Sequence, residues 1–73
     1  MKTIDRIIFL MNKNDISKAQ FAKDLKISSG HFADWESGRS NPTVKRLIEI
    51  ARYFNVSIDY LVGLIDEPKP YDR

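Results

Sequence analysis

Cysteine is absent from this 73-residue chain, so neither a disulfide framework nor a thiolate metal site is open to it. Histidine occurs once, at His31, and we assign no metal to it because the sequence offers it no clustered partners. The longest apolar run, Ile7–Met11, has five residues, whereas a membrane span needs about 20. The sequence therefore predicts a soluble, cytoplasmic protein with no membrane contact.

Catalytic signatures are also missing. Glycine occurs only three times, which leaves no Gly-rich loop for cradling a phosphate. No nucleophile–base pair or cluster of metal ligands stands out either. We therefore expect no enzyme activity, no cofactor and no small-molecule substrate.

Net charge is small and unevenly distributed. The chain carries +2, but the acidic C-terminal segment 66–73 contributes −1, which leaves +3 on residues 1–65. A weakly basic domain permits an anionic partner without requiring one.

Apolar residues recur with a helical period in five short segments, and no segment alternates as a strand would. Ile4, Ile7, Ile8 and Met11, for example, fall on one face of a first helix. The predicted N-terminal caps are Thr3, Ser17, Ser28, Thr43 and Ser57. The sequence therefore predicts an all-α fold, a compact five-helix bundle over residues 1–65, followed by a charged, Pro-containing C-terminal tail over 66–73.

The second and third predicted helices lie unusually close together. Ser17 and Gln20 have the spacing of a capping box that opens helix 2, and Ser28 opens helix 3 only a few residues after helix 2 ends. So short a connection forces the two helices to cross steeply. Because Phe32 and Trp35 should face the core, the opposite side of helix 3, near Ser29 and Gly30, should face outward.

This ordered set of residues resembles the helix-turn-helix of the phage-repressor (XRE/Cro-type) family. The helix-turn-helix spacing is carried by Lys18, Ala22, Lys26, Phe32 and Trp35. Residues 36–43, ESGRSNPT, are similar to the family's loop into helix 4, and residues 55–61, NVSIDYL, to its entry into helix 5. The resemblance implies a lambda-repressor-like DNA-binding domain whose third helix enters the major groove of double-stranded DNA.

The sequence departs from the family pattern in two respects, the residue in the turn and the base-contacting residues of helix 3. Lys26 stands where the family usually has Gly in the turn, and a non-Gly residue in the left-handed region costs about 1 kcal/mol. Gly30 brings no side chain to a base-contacting position, and Asp34 can accept from cytosine N4 but repels phosphates. The predicted DNA-contacting surface is therefore sparse, and the target sequence does not follow from it.

The predicted contacts fall into two sets. The residues expected to contact bases are Ser29, Gly30, His31, Ala33 and Asp34. The residues expected to contact phosphates are Ser17, Lys18, Ser28, Ser37, Arg39, Ser40, Asn41, Lys45 and Arg46. Lys45 and Arg46 lie in the first turn of helix 4, where cations oppose the helix dipole unless a phosphate lies in front of them.

The expected function is that of a sequence-specific transcriptional regulator, with repression as the expected mode, acting through the helix at about 28–37 as a homodimer on a palindrome. The predicted dimer interface is Tyr60, Leu61, Leu64 and Ile65, some of which could instead cover the core. The alternative is a protein-interaction module on the same scaffold with weak or no DNA binding.

Overall fold

Five α-helices make up the regular structure of the computed structural model, which describes residues 2–71. They are α1 Thr3–Lys13, α2 Lys18–Leu25, α3 Ser29–Ser37, α4 Val44–Phe54 and α5 Ile58–Val62. Residues 2–71 contain no strand, which confirms the predicted all-α class. Met1 and the tail residues Asp72 and Arg73 lie outside the described residues. No helix in the described span has the length and hydropathy needed to cross a membrane.

Four of the five predicted N-terminal caps are confirmed. The hydroxyls of Ser17, Ser28, Thr43 and Ser57 each accept from the backbone amide three residues later, at 3.1–3.2 Å. These bonds satisfy amides that have no partner within the helix.

The cap predicted at Thr3 is wrong, because α1 begins one residue earlier with Lys2 as its N-cap. The Lys2 amide donates to the Asp5 carboxylate at 3.2 Å, which is the bond that fixes this end. Half of the predicted capping box in α2 is also wrong. The Gln20 side chain does not return to the helix start but donates to Asp24 at 2.6 Å.

Each of the helices α2 to α5 ends at a residue whose backbone adopts the left-handed α conformation. Gly38 and Gly63 have φ of 81° and 91°, as glycine readily does, whereas Lys26 and Asn55 adopt 55° and 54° despite their side chains. Lys26 therefore keeps the turn between α2 and α3 in the conformation that the family normally assigns to Gly, with the associated strain.

The core lies between the helices and is built around Phe21, which is fully buried. Its ring contacts Phe32 of α3 edge-on at a centroid distance of 5.8 Å, and stacks on Phe54 of α4 at 5.9 Å. Tyr53 contributes another edge contact at 5.9 Å. Aromatic packing thus fixes α2, α3 and α4 relative to one another.

The tail follows the body of the domain as far as it is described. The Ser57 amide donates to the Lys69 carbonyl at 2.7 Å, and Tyr71 is half-buried against the core. At the tail's start, the buried Arg6 of α1 donates to the carbonyls of Tyr60 and Ile65 at 2.9 and 2.6 Å. Residues 66–71 are therefore attached to α1 and α5.

Candidate nucleic-acid interface

The turn between α2 and α3 consists of residues 26–28, and α4 holds it in place. Nη1 of Arg46 donates to the Leu25 carbonyl at 2.8 Å, and Nη2 donates to the Lys26 carbonyl at 3.2 Å. Nη1 also pairs with Glu49 at 2.9 Å. The last carbonyls of α2 thereby gain charged partners, which fixes the direction in which α3 leaves the turn.

One side of α3 is buried and the other is open, as the sequence predicts. Phe32 and Trp35 are 4% and 6% exposed, and their rings contact each other at 6.1 Å between centroids. Of the predicted base-contacting residues, Asp34 is half-buried and the other four are exposed: Ser29, Gly30, His31 and Ala33. The core thus presents this set outward on one short helix.

The predicted base and phosphate sets meet along a shallow cleft beside α3. This cleft, of about 400 Å³, is lined by His31, Asp34, Trp35, Ser40, Asn41, Thr43 and Arg46. The loop after α3 and the start of α4 therefore lie next to the open face of α3. No group of three His, Asp or Glu side chains in the described part of the chain could hold a metal ion.

Two helix N-termini flank this face. Ser17 caps α2 and Thr43 caps α4, and the cations Lys18 and Lys45 that follow them are both exposed. The N-terminal end of a helix carries partial positive charge and unsatisfied amides, an arrangement suited to phosphate.

The prediction that Arg46 contacts a phosphate needs a correction. Its guanidinium is half-buried and is committed to Leu25, Lys26 and Glu49. Moving it to a phosphate would leave the end of α2 without these partners, so we remove Arg46 from the phosphate set.

The remaining members of the phosphate set are exposed. They are Ser17, Lys18, Ser28, Ser37, Arg39, Ser40, Asn41 and Lys45. Two of their cations are paired with carboxylates from α3. Lys18 Nζ lies 2.8 Å from Glu36 Oε2, and Arg39 Nη1 lies 3.1 Å from Asp34 Oδ1.

Part of the predicted dimer interface is also corrected. Tyr60 and Leu61 are 5% and 0% exposed, because they fill the core beneath α5, and so they are not available to a second copy. Leu64 is 74% exposed and Ile65 is half-buried. Phe9 and Val62 are exposed as well, although no pattern in the sequence marks either of them for this surface.

Sequence reasoning missed Arg6 and Val44. Arg6 lies inside an apolar repeat, where a single cation looks like an ordinary surface residue, yet it is 7% exposed and its guanidinium lies 4.6 Å from the centre of the Tyr60 ring. Val44 follows the helical period of α4 but is 73% exposed beside Lys45. No pattern in the sequence separates it from the buried Val56.

Comparison with known proteins agrees with the helix-turn-helix arrangement of α2 and α3. The family model described as Helix-turn-helix matches residues 7–61. The uncharacterized HTH-type transcriptional regulator YobD of Bacillus subtilis is 29% identical over 65 residues, which cover 89% of this chain and 58% of that protein. The CTXphi transcriptional repressor RstR of a cryptic phage in Vibrio cholerae is 33% identical, over 86% of this chain and 56% of that protein.

The plasmid copy control protein CopR of Streptococcus agalactiae is 38% identical over 53 residues, 71% of this chain and 55% of that protein. The chain thus spans a little over half the length of these relatives. The search of solved structures gave no significant match.

Proposed function

The chain belongs to the helix-turn-helix family, and we propose that it is a sequence-specific DNA-binding regulator of transcription, with repression as its mode. The observation that carries this proposal is the open face of α3, supported from beneath by the buried rings of Phe32 and Trp35. The major groove of B-DNA is about 12 Å wide and admits such a helix. Relatives named as a transcriptional regulator and a phage repressor support the same class. This family consists of DNA-binding domains, not enzymes.

In the proposed complex, α3 supplies the base contacts. Ser29 and His31 offer polar groups to base edges, and Asp34 can accept from cytosine N4. Gly30 lets the helix backbone approach the groove closely, because nothing projects from it. Ala33 offers a methyl group that can pack against the methyl of thymine.

Phosphate contacts surround these base contacts. Lys18 and Lys45 stand at the starts of α2 and α4, so each combines a side-chain charge with the positive end of a helix. Arg39, Ser40 and Asn41 continue the same surface along the loop after α3. Each phosphate contact should add about 0.9 to the slope of log affinity against log salt concentration.

We further propose that two copies bind as a two-fold dimer through the exposed apolar residues at the end of α5. Leu64 and Ile65 are the proposed centre of this surface, and the exposed Val62 and Phe9, the latter lining a shallow groove with Tyr60 and Asp66, are further apolar candidates. A dimer would place two α3 helices about 34 Å apart, one turn of DNA, on a palindromic site. A protein that binds DNA in this way would act in the cytoplasm.

A mobility-shift assay on genomic fragments tests the function. The proposal expects a specific fragment to be retained and to be released as salt rises. A protein-interaction module is the second candidate, favoured by the absence of a side chain at Gly30 and by the negative charge of Asp34. Absence of retention at low salt, with folded protein, would support that module and overturn the regulator.

A further inference from the structure

Two carboxylates of α3 form ion pairs with cations that the proposed function assigns to phosphate contacts. Glu36 reaches Lys18 at the start of α2, and Asp34 reaches Arg39 in the loop that follows α3. The side chains of Lys18 and Arg39 are 63% and 77% exposed, whereas those of Glu36 and Asp34 are 34% and 33% exposed. Each pair thus lies at the edge of the face proposed to contact DNA, with its cation outermost.

Stability alone does not explain these pairs. Exposed ion pairs contribute little to folding, and neither carboxylate caps a helix end. The distance of 2.8 Å between Lys18 and Glu36 is the distance expected between an ammonium group and a phosphate oxygen. The Lys18 ammonium also lies 5.6 Å from the centre of the Phe32 ring, within the range of a cation–π contact.

We infer that Glu36 and Asp34 act as internal substitutes for phosphate and lower the affinity of this surface for DNA of arbitrary sequence. This inference rests on the proposed function. A phosphate that approaches Lys18 displaces Glu36, and the released carboxylate then stands near the DNA backbone and repels it. DNA that binds through phosphate contacts alone must break both ion pairs and meets the repulsion of both released carboxylates.

A correct base sequence offsets part of the cost. Asp34 lies on the open face of α3, so once Arg39 turns to a phosphate its carboxylate is available to accept from a cytosine amino group. Glu36 gains no such partner in this account and lowers affinity for every sequence alike. Asp34 therefore makes tight binding depend in part on a base contact, which is how a repulsive element raises specificity, whereas Glu36 lowers the overall affinity for DNA.

The test compares Glu36→Gln with Glu67→Gln, a matched removal of one negative charge in the exposed tail. Binding to a short, fluorescently labelled duplex of mixed sequence is followed by anisotropy at low salt. We expect Glu36→Gln to raise the association constant roughly fivefold, the scale of an exposed ion pair, and Glu67→Gln to change it less than about twofold. Equal effects of the two variants would overturn the inference.

A second comparison isolates competition for Lys18. In a Lys18→Ala background, Glu36→Gln removes repulsion but no longer releases a cation, so its gain should be smaller than in the unaltered chain. An equal or larger gain would contradict the role of the pair. If the unaltered protein retains no duplex at any salt concentration, the proposed function fails; if it binds and Glu36→Gln matches its control, only this inference fails.

Discussion

Arg46 in α4 donates to the carbonyl of Leu25 at the end of α2, at 2.8 Å, and so joins the helix-turn-helix to the helix that follows it. The neighbouring residue, Lys45, is exposed, in contrast to the half-buried Arg46. Adjacent cations in one helical turn thus have different tasks. Arg46 stabilises the fold through its bonds to the end of α2, and we propose that Lys45 contacts a phosphate.

Arg46→Ala should therefore lower the free energy of unfolding by about 1.5–3 kcal/mol, because charged hydrogen bonds to the end of α2 are lost. Lys45→Ala, its matched control, should change stability by less than about 0.5 kcal/mol. Urea unfolding of the two variants measures both. Equal stabilities would show that Arg46 is an ordinary surface cation.

Gly30→Ala should have opposite effects on stability and on binding. A Cβ at Gly30 would meet only the Ser28 hydroxyl, at 4.0 Å, so alanine fits and should stabilise α3 by about 0.5–1 kcal/mol. The same methyl would project into the groove and weaken binding to the specific fragment. Thermal unfolding and a mobility-shift titration provide the two readouts. A stabilised variant with unchanged affinity would remove Gly30 from the contact surface.

Tyr53 gives the protein a pH dependence at alkaline pH. Its hydroxyl donates to Asp24 at 2.6 Å, and this hydrogen bond, together with burial and the negative charge of Asp24, raises the pKa of Tyr53 from 10.0 to about 12. Folding favours the protonated phenol, so the stabilisation is fully present below pH 10 and is lost as the pH rises through 12.

The advantage of the unaltered chain over Tyr53→Phe in urea unfolding should accordingly shrink between pH 10 and 12. Asp24→Asn should bring the pKa of Tyr53 back toward 10.0, as followed by tyrosinate absorbance. A constant difference in stability across this range, or a titration unaffected by Asp24→Asn, would refute the coupling.

Leu64→Lys should weaken self-association while leaving the monomer intact. Leu64 is 74% exposed, so the change removes little buried apolar area and should alter stability by less than about 0.5 kcal/mol. Val44→Lys, at 73% exposure, makes the same chemical change elsewhere on the surface. Sedimentation should show a shift toward monomer for Leu64→Lys alone. An unaltered chain that stays monomeric at high concentration, with and without DNA, would remove the dimer from the proposal.

Much of the fold follows from the sequence because short-range chemistry decides it. Serine and threonine caps start α2 to α5 where the sequence predicts them, and Gly38 and Gly63 end α3 and α5. The error at the start of α1 has a local cause. Lys2 is no typical cap, and the end is instead fixed by a carboxylate one turn further on, at Asp5.

The open face of α3 was predictable as well, because burying Phe32 and Trp35 determines what must point away. The structural role of Arg46 was not predictable, because its partners are carbonyls about 20 residues away in the sequence and no local pattern reveals them. Arg6 was missed for the same reason, because its partners at Tyr60 and Ile65 lie at the far end of the chain. Apolar periodicity likewise could not tell the buried Leu61 from the exposed Leu64.

The most direct test of DNA binding is the salt dependence of duplex retention by Lys45→Glu and by its matched charge reversal, Lys69→Glu, in the tail. If Lys45 contacts a phosphate, Lys45→Glu should lower the salt slope by about 0.9 and weaken retention of specific and mixed-sequence duplexes alike. Lys69→Glu should retain duplexes much as the unaltered chain does. Equal binding by both variants, or no retention by the unaltered protein at any ionic strength, would contradict the account.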